Sequence, residues 1–173
     1  KKQSYYEYDL WTDSAYKYFY EKLIPGETIY YEIVGYIPND GTIMPTYNNK
    51  KLEKFLDKKE YKEFLEKFGE TTIFSYGCNK NEYKIYVYRI TLSSEFGYII
   101  DYTWEQVKRR CEEMGVNYVP EIEQLFIKNN MIKMIVENDQ EWIQKTEQND
   151  INFPTHLNEG ICVRIENGSL RPE

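Results

Sequence analysis

Histidine is almost missing from this chain, with His156 the only one in 173 residues, and cysteine is sparse. Cys78, Cys111 and Cys162 lie far apart, and no Cys-x-x-Cys spacing occurs. A structural zinc site draws its ligands from closely spaced Cys and His pairs, so these two scarcities argue against one. Each cysteine sits in an apolar or strand-like context, as small buried thiols do in a reduced, cytoplasmic protein. Long apolar runs are absent too. No stretch approaches the length of a membrane span, and no signal-peptide core is present, so no membrane partner is expected. Positive charge is in short supply, with 22 Lys and Arg against 29 Asp and Glu, a net of −7. Nucleic-acid binding draws most of its affinity from cations on phosphates, so any such surface here must be local. Lys50/Lys51, Lys58/Lys59 and Lys108/Arg109/Arg110 are the places for it, although a charge run on a helix is first of all a solvated face.

What the chain does have is aromatic residues, 17% of the total, with 18 Tyr. Rings with a polar tip suit a core that borders a wet cleft. At 41% hydrophobic content, residues 1–173 are enough for one domain with a substantial core. The chain opens Lys1-Lys2-Gln3, with no Met, as a piece of a longer protein would.

Local patterns predict the elements. Thr12-Asp13 marks a helix start, with Ala15, Tyr16, Phe19, Tyr20 and Leu23 on one face, ended by Pro25-Gly26, so a helix is expected near 13–23. Residues 28–37 read as a strand, and Asn39-Asp40-Gly41 as a hairpin turn into a short second strand at Ile43-Met44. From Asn49 to Gly69 the apolar residues fall on two different faces. Asp57 with Glu60 forms a capping-box signal, which predicts two short helices that break near Asp57 and end at Gly69. Residues 71–76 and 83–92 are strand-like, with a turn between them, and Tyr86 and Tyr88 share one face against Val87. Gly97 to Asp101 is a further strand. Thr103 with Gln106 caps a helix whose stripe is Trp104, Val107, Cys111 and Met114, closed by Gly115. Residues 130–147 carry helical spacing, 149–158 are loop, and 159–166 alternate as a strand. Hairpins and long returns with inserted helices predict an α+β fold with mainly antiparallel β-sheets flanked by helices.

Two carboxylates interrupt apolar strands: Glu32 in Tyr30-Tyr31-Glu32-Ile33-Val34-Gly35-Tyr36, and Glu159 in Asn158-Glu159-Gly160-Ile161-Cys162-Val163-Arg164. A carboxylate there, if buried unpaired, costs several kcal/mol, roughly, and so wants a cation, a metal or donor groups. A nucleotide with Mg²⁺ supplies all three. Gly35 and Gly160 nearby would let a ligand or another backbone approach. The bland alternative is a solvent-facing Glu at a strand edge beside a structural Gly.

Read in order with the aromatic strand Tyr86-Val87-Tyr88-Arg89-Ile90 between them, the two segments resemble motifs III, IIIa and IV of the covalent nucleotidyltransferases. Among these, the chain is most similar to the ATP-dependent RNA ligases, over about Tyr30 to Arg164. Glu-Gly followed by alternating aliphatics and Arg is the most specific part of the likeness. The resemblance implies an incomplete ligase adenylation domain, of two antiparallel sheets with ATP between them. It implies that Glu32 binds the ribose hydroxyls, and that Tyr88, or failing that Tyr86, stacks on adenine. Glu159 would sit at the reacting phosphate as the catalytic and Mg²⁺-side carboxylate, and Arg164 would contact a phosphate or form a structural ion pair. The implied cofactors are ATP and Mg²⁺, and the implied partners are 5′-phosphate and 3′-hydroxyl RNA ends.

The sequence departs from that pattern in places. Tyr31 stands where the family often has Gly, and Arg89 where it often has Asp. The Lys-x-Asp/His/Asn-Gly nucleophile motif is not found, because the only Asp-Gly, Asp40-Gly41, follows Pro38-Asn39; it is expected outside this chain, as is the last Lys-x-Lys motif. DNA ligases and capping enzymes share motifs III to IV, and a non-catalytic module on the same fold stands as the alternative. His156 is read as an exposed loop histidine near Glu159, with a substrate contact as the other option.

Overall fold

A computed structural model describes residues 9–39, 41–122 and 162–164 of the chain. The first helix begins at Asp9, whose carboxylate accepts a hydrogen bond from Thr12 N at 3.1 Å and so caps α1, Leu10–Phe19. The helix therefore starts three residues before the expected position and stops short of Leu23. Glu21 at φ 59 breaks it ahead of Pro25-Gly26. Its inward side is Leu10, Ser14 and Phe19, while Tyr16 and Tyr20 stack on each other in solvent with centroids 4.3 Å apart.

Strand β1 runs over Glu27–Gly35 and pairs antiparallel with the long strand β4, Tyr83–Ser93, which in turn pairs with β5, Ile99–Asp101. The sheet order is β1-β4-β5. Alternation sends Ile33, Ile85 and Val87 to one face, where they meet Leu10 and Phe19 of α1. Helix α3, Trp104–Met114, adds Val107, Cys111 and Met114 to the same core. Burying an aliphatic side chain of this kind stabilises the fold by roughly 1.5–3 kcal/mol. The helix has the ends expected of it: a Thr103/Gln106 capping box, and Gly115 in the left-handed region at φ 67, ψ 38.

One ion pair ties β1 to α3 inside this core. The Glu27 carboxylate is wholly buried and accepts from Arg110 Nε at 2.8 Å and Nη2 at 3.0 Å, with Ile24 N as a further donor at 3.2 Å. Arg110 thus belongs to the interior, and the Lys108/Arg109/Arg110 run is not a uniform basic surface.

Asn39, at φ 62, turns the chain after β1, and Ile37 N donates to Gly41 O at 3.0 Å. The expected second hairpin strand is reduced to a single bridge, Tyr36 to Thr42. Gly35 is required by protein atoms: at φ +105, a Cβ there would lie 2.6 Å from Glu82 O and 2.7 Å from Cys78 Sγ.

The described residues divide into two compact units, the first of 9–39, 41–43, 78–119 and 164, and the second of 44–77, 120–122 and 162–163. The second unit interrupts the first in sequence. In it, β2, Tyr47–Asn48, pairs antiparallel with β3, Thr71–Thr72, so the strand expected over 71–76 is short and belongs to a different sheet from β4. A 3₁₀ turn, Asn49–Lys54, and helix α2, Lys58–Phe68, divide the helical segment as expected. An Asp57/Glu60 capping box opens α2, and Gly69 at φ 71 closes it. The fold class is α+β, with antiparallel sheets and accompanying helices. The helix expected at 130–147 lies outside the described residues, as does most of the strand expected at 159–166. Its described part, Cys162 to Arg164, belongs to no helix or strand, and Cys162 is exposed where burial was expected.

Candidate functional site on the outer face of the β1–β4 pair

The face of β1–β4 turned away from the core carries the residues singled out in the sequence. Glu32 pairs directly with Tyr86 in the antiparallel register, so the two side chains emerge side by side, with Cβ atoms about 4.5–5.5 Å apart in such pairs. Glu32 is exposed. Among the described residues, no cation or hydrogen-bond donor engages its carboxylate.

A β-bulge shapes the rest of the face. Tyr30 is opposite Arg89, yet Tyr31 is opposite Val87, so β4 carries one extra residue, Tyr88. In a regular strand, the alternation that buries Ile85 and Val87 would bury Arg89 and expose Ile90. The extra residue resets the phase: Ile90 is fully buried, while the Arg89 side chain is 42% exposed. Tyr88 comes out on the same side, 41% exposed, with its ring 6.4 Å from that of Tyr30.

Arg89 is held in place by its neighbours. Its guanidinium lies 4.9 Å from the Tyr30 ring centre and makes a two-pronged bond to Asp101 on β5, Nε to Oδ1 at 2.5 Å and Nη2 to Oδ2 at 2.9 Å. The hydrogen bond from Arg89 keeps the Asp101 carboxyl below its ordinary pKa. The positive charge of Arg89 is thus matched by an acid from the next strand.

Arg164 reaches the same strand by a different route. Its Nη1 donates to Tyr88 O at 3.1 Å and its Nη2 to Tyr102 O at 2.7 Å, with the guanidinium 5.6 Å from the Trp104 ring. Arg164 thereby contacts the backbone of the bulged residue. Glu159 and His156 lie outside the described residues; Glu32 and the Tyr86/Tyr88 pair share one face, and of the third segment Arg164 is seen at the Tyr88 backbone. Sequence reading missed Tyr30, Arg89 and Asp101. A period-2 step back from Glu32 reaches Tyr30, and the Val87-x-x-Ile90 spacing is the visible trace of the bulge.

Chemically, an unengaged carboxylate flanked by partly exposed phenol rings can accept two hydroxyl donors while a ring stacks on a flat base. A metal is a different matter: among the described residues, no group of three or more His, Cys, Asp and Glu is placed to hold one. No family model, curated protein or solved structure matches the chain.

Proposed function

We propose that this chain supplies the nucleoside-binding face of an ATP-dependent RNA ligase adenylation domain. The observation that carries the reading is the juxtaposition of Glu32 and Tyr86 across β1–β4, with Tyr88 bulged onto the same face and the carboxylate engaged by none of the described residues. These are the strands that resemble motifs III and IIIa. A likeness read separately in two stretches of sequence thus falls on adjacent strands and one face. The hydrogen bond from Arg164, the last residue of the motif IV-like stretch, to Tyr88 O gives further support.

In this reading, Glu32 accepts the ribose 2′- and 3′-hydroxyls, and Tyr88 stacks on adenine with Tyr86 beside it. Glu159, outside the described residues, would be the carboxylate that holds Mg²⁺, and the ion would offset phosphate charge. A lysine in the nucleophile motif, expected outside these residues, attacks the α-phosphorus; a P–N bond forms and pyrophosphate leaves. The adenylate passes to an RNA 5′-phosphate, and a 3′-hydroxyl then displaces AMP and seals the strand. Arg164 serves by holding the strand in place, through the carbonyls of Tyr88 and Tyr102.

Calorimetric titration of the chain with AMP tests the reading. Binding is expected, and Glu32→Ala should weaken it while leaving the circular dichroism spectrum unchanged. Equal AMP affinity in the two proteins would remove Glu32 from the site and the ligase reading with it.

A further inference from the structure

The second unit holds a lysine-rich turn in an unusually fixed way. Asn49, at the start of the 3₁₀ turn, is fully buried. Its Nδ2 donates to Gly69 O at 2.8 Å, its Oδ1 accepts from Thr72 Oγ1 at 2.9 Å, and its N donates to Glu70 O at 2.9 Å. A buried amide satisfied on all these atoms fixes the backbone around it, because any slip leaves a polar group unpaired. The chain has thus invested a buried polar network in presenting residues 50–54.

With three residues per turn, positions 51 and 54 of a 3₁₀ helix lie one above the other. Lys51 and Lys54 therefore form an exposed column, and the Lys51 ammonium lies 5.9 Å from the ring centre of Tyr47, itself 39% exposed. Three other lysines of this unit are matched by acids, Lys50 with Glu70 at 2.8 Å, Lys59 with Glu63 at 3.8 Å and Lys62 with Glu66 at 3.7 Å, while Lys58 and Lys67 lie on α2, outside the 3₁₀ turn. Among the described residues, Lys51 and Lys54 have no carboxylate partner. Two lysines without a described carboxylate partner, on a rigid turn beside an exposed ring, thus present cationic groups next to an aromatic face, with Glu53 the acid in the same turn.

We propose that this column is a contact for single-stranded RNA: a base stacks on Tyr47 while Lys51 and Lys54 take adjacent phosphates. An aromatic ring beside backbone-tracking cations is the general solution for gripping a single strand. Charge complementarity points to a polyanion, and the ring points to unpaired bases. That the strand is RNA rests on the ligase reading; the contact itself does not.

The test is fluorescence anisotropy of the full chain with a short, labelled, 5′-phosphorylated single-stranded RNA over a series of salt concentrations. Each single-strand phosphate contact contributes about −0.7 to the slope of log affinity against log salt, so Lys51→Gln with Lys54→Gln should flatten the slope by about 1.4. Tyr47→Leu should weaken binding by roughly fivefold or more at unchanged slope. Lys59→Gln with Lys62→Gln removes the same charge from acid-matched lysines and should leave the slope as it is. Absence of RNA binding by the unaltered chain, or equal flattening by both lysine pairs, would overturn the proposal. Parallel AMP titration separates the two readings: RNA held through this column by a chain that fails to bind AMP would support the contact and defeat the ligase.

Discussion

Glu32 of β1 and Tyr86 of β4 are direct cross-strand partners, and the carboxylate between the tyrosines is engaged by no described cation or donor. A surface glutamate is commonly paired with a lysine or arginine, and this strand pair holds one close by. Arg89, however, is committed to Asp101. In the proposed reading, this leaves the Glu32 carboxylate to accept from a ligand, with rings on the same face to take a base.

In the proposed reading Tyr88 is the stacking ring, because it is the extra residue of the bulge and is exposed on that face. Tyr88→Ala should weaken AMP binding by roughly 1–3 kcal/mol, the usual worth of a base stacked on an aromatic side chain. Tyr88→Phe should bind AMP like the unaltered chain. A loss in Tyr86→Ala with none in Tyr88→Ala, read by calorimetry, would transfer the stacking role to Tyr86.

Breaking the buried Glu27–Arg110 pair should destabilise the first unit. Removing either partner leaves a charge buried without its counterion, so Glu27→Ala or Arg110→Ala should each cost about 3–5 kcal/mol in urea unfolding. The double variant should cost less than the sum of the two. Simple additivity would mean that the pair is not coupled.

Asp101 offers a pH test of the outer face. Its folded pKa lies below the ordinary aspartate value of 3.8, chiefly through the hydrogen bond from Arg89. A depressed carboxyl contributes stability that is present above 3.8 and lost as pH falls through the lower folded value. Carboxyl NMR titration should therefore place Asp101 below 3.8, and Arg89→Gln should return it towards that value. An Asp101 that titrates ordinarily in the unaltered chain would break the link to Arg89.

Thiol reactivity checks the core. Burial pushes the Cys111 thiol up to about 11 and raises Cys78 as well, whereas Cys162 is exposed. At pH 8, a disulfide reagent should label Cys162 fast and Cys111 only on unfolding. Fast labelling of Cys111 in the native protein would contradict the placement of α3.

Much of this architecture was legible in the residues, and the exceptions have physical causes. The Asp57/Glu60 and Thr103/Gln106 boxes, Gly69 and Gly115 are local signals, and the helix ends they mark agree with the structure. The start of α1 was misplaced because Asp9 outcompetes Thr12 as a cap, a choice made by the burial of Leu10. The bulge was not foreseen because a regular period was imposed on β4. Only the need to bury both Val87 and Ile90 reveals the phase break. Arg110 was read as surface charge because Glu27, its partner, lies 83 residues away in sequence. At the candidate site, Glu32, Tyr86 and Tyr88 were named from the strand pattern, while Tyr30, Arg89 and Asp101 required the register.

The most direct measurement is a thermodynamic cycle that combines Glu32→Gln with removal of the ribose hydroxyls. AMP and 2′,3′-dideoxy-AMP would be titrated into the unaltered and variant chains by calorimetry. Bonds to an ionised carboxylate are worth about 1.5–3 kcal/mol, so the unaltered chain should prefer AMP by at least tenfold, and Glu32→Gln should erase most of that preference. An equal preference in both proteins would show that the carboxylate opposite Tyr86 does not hold a ribose.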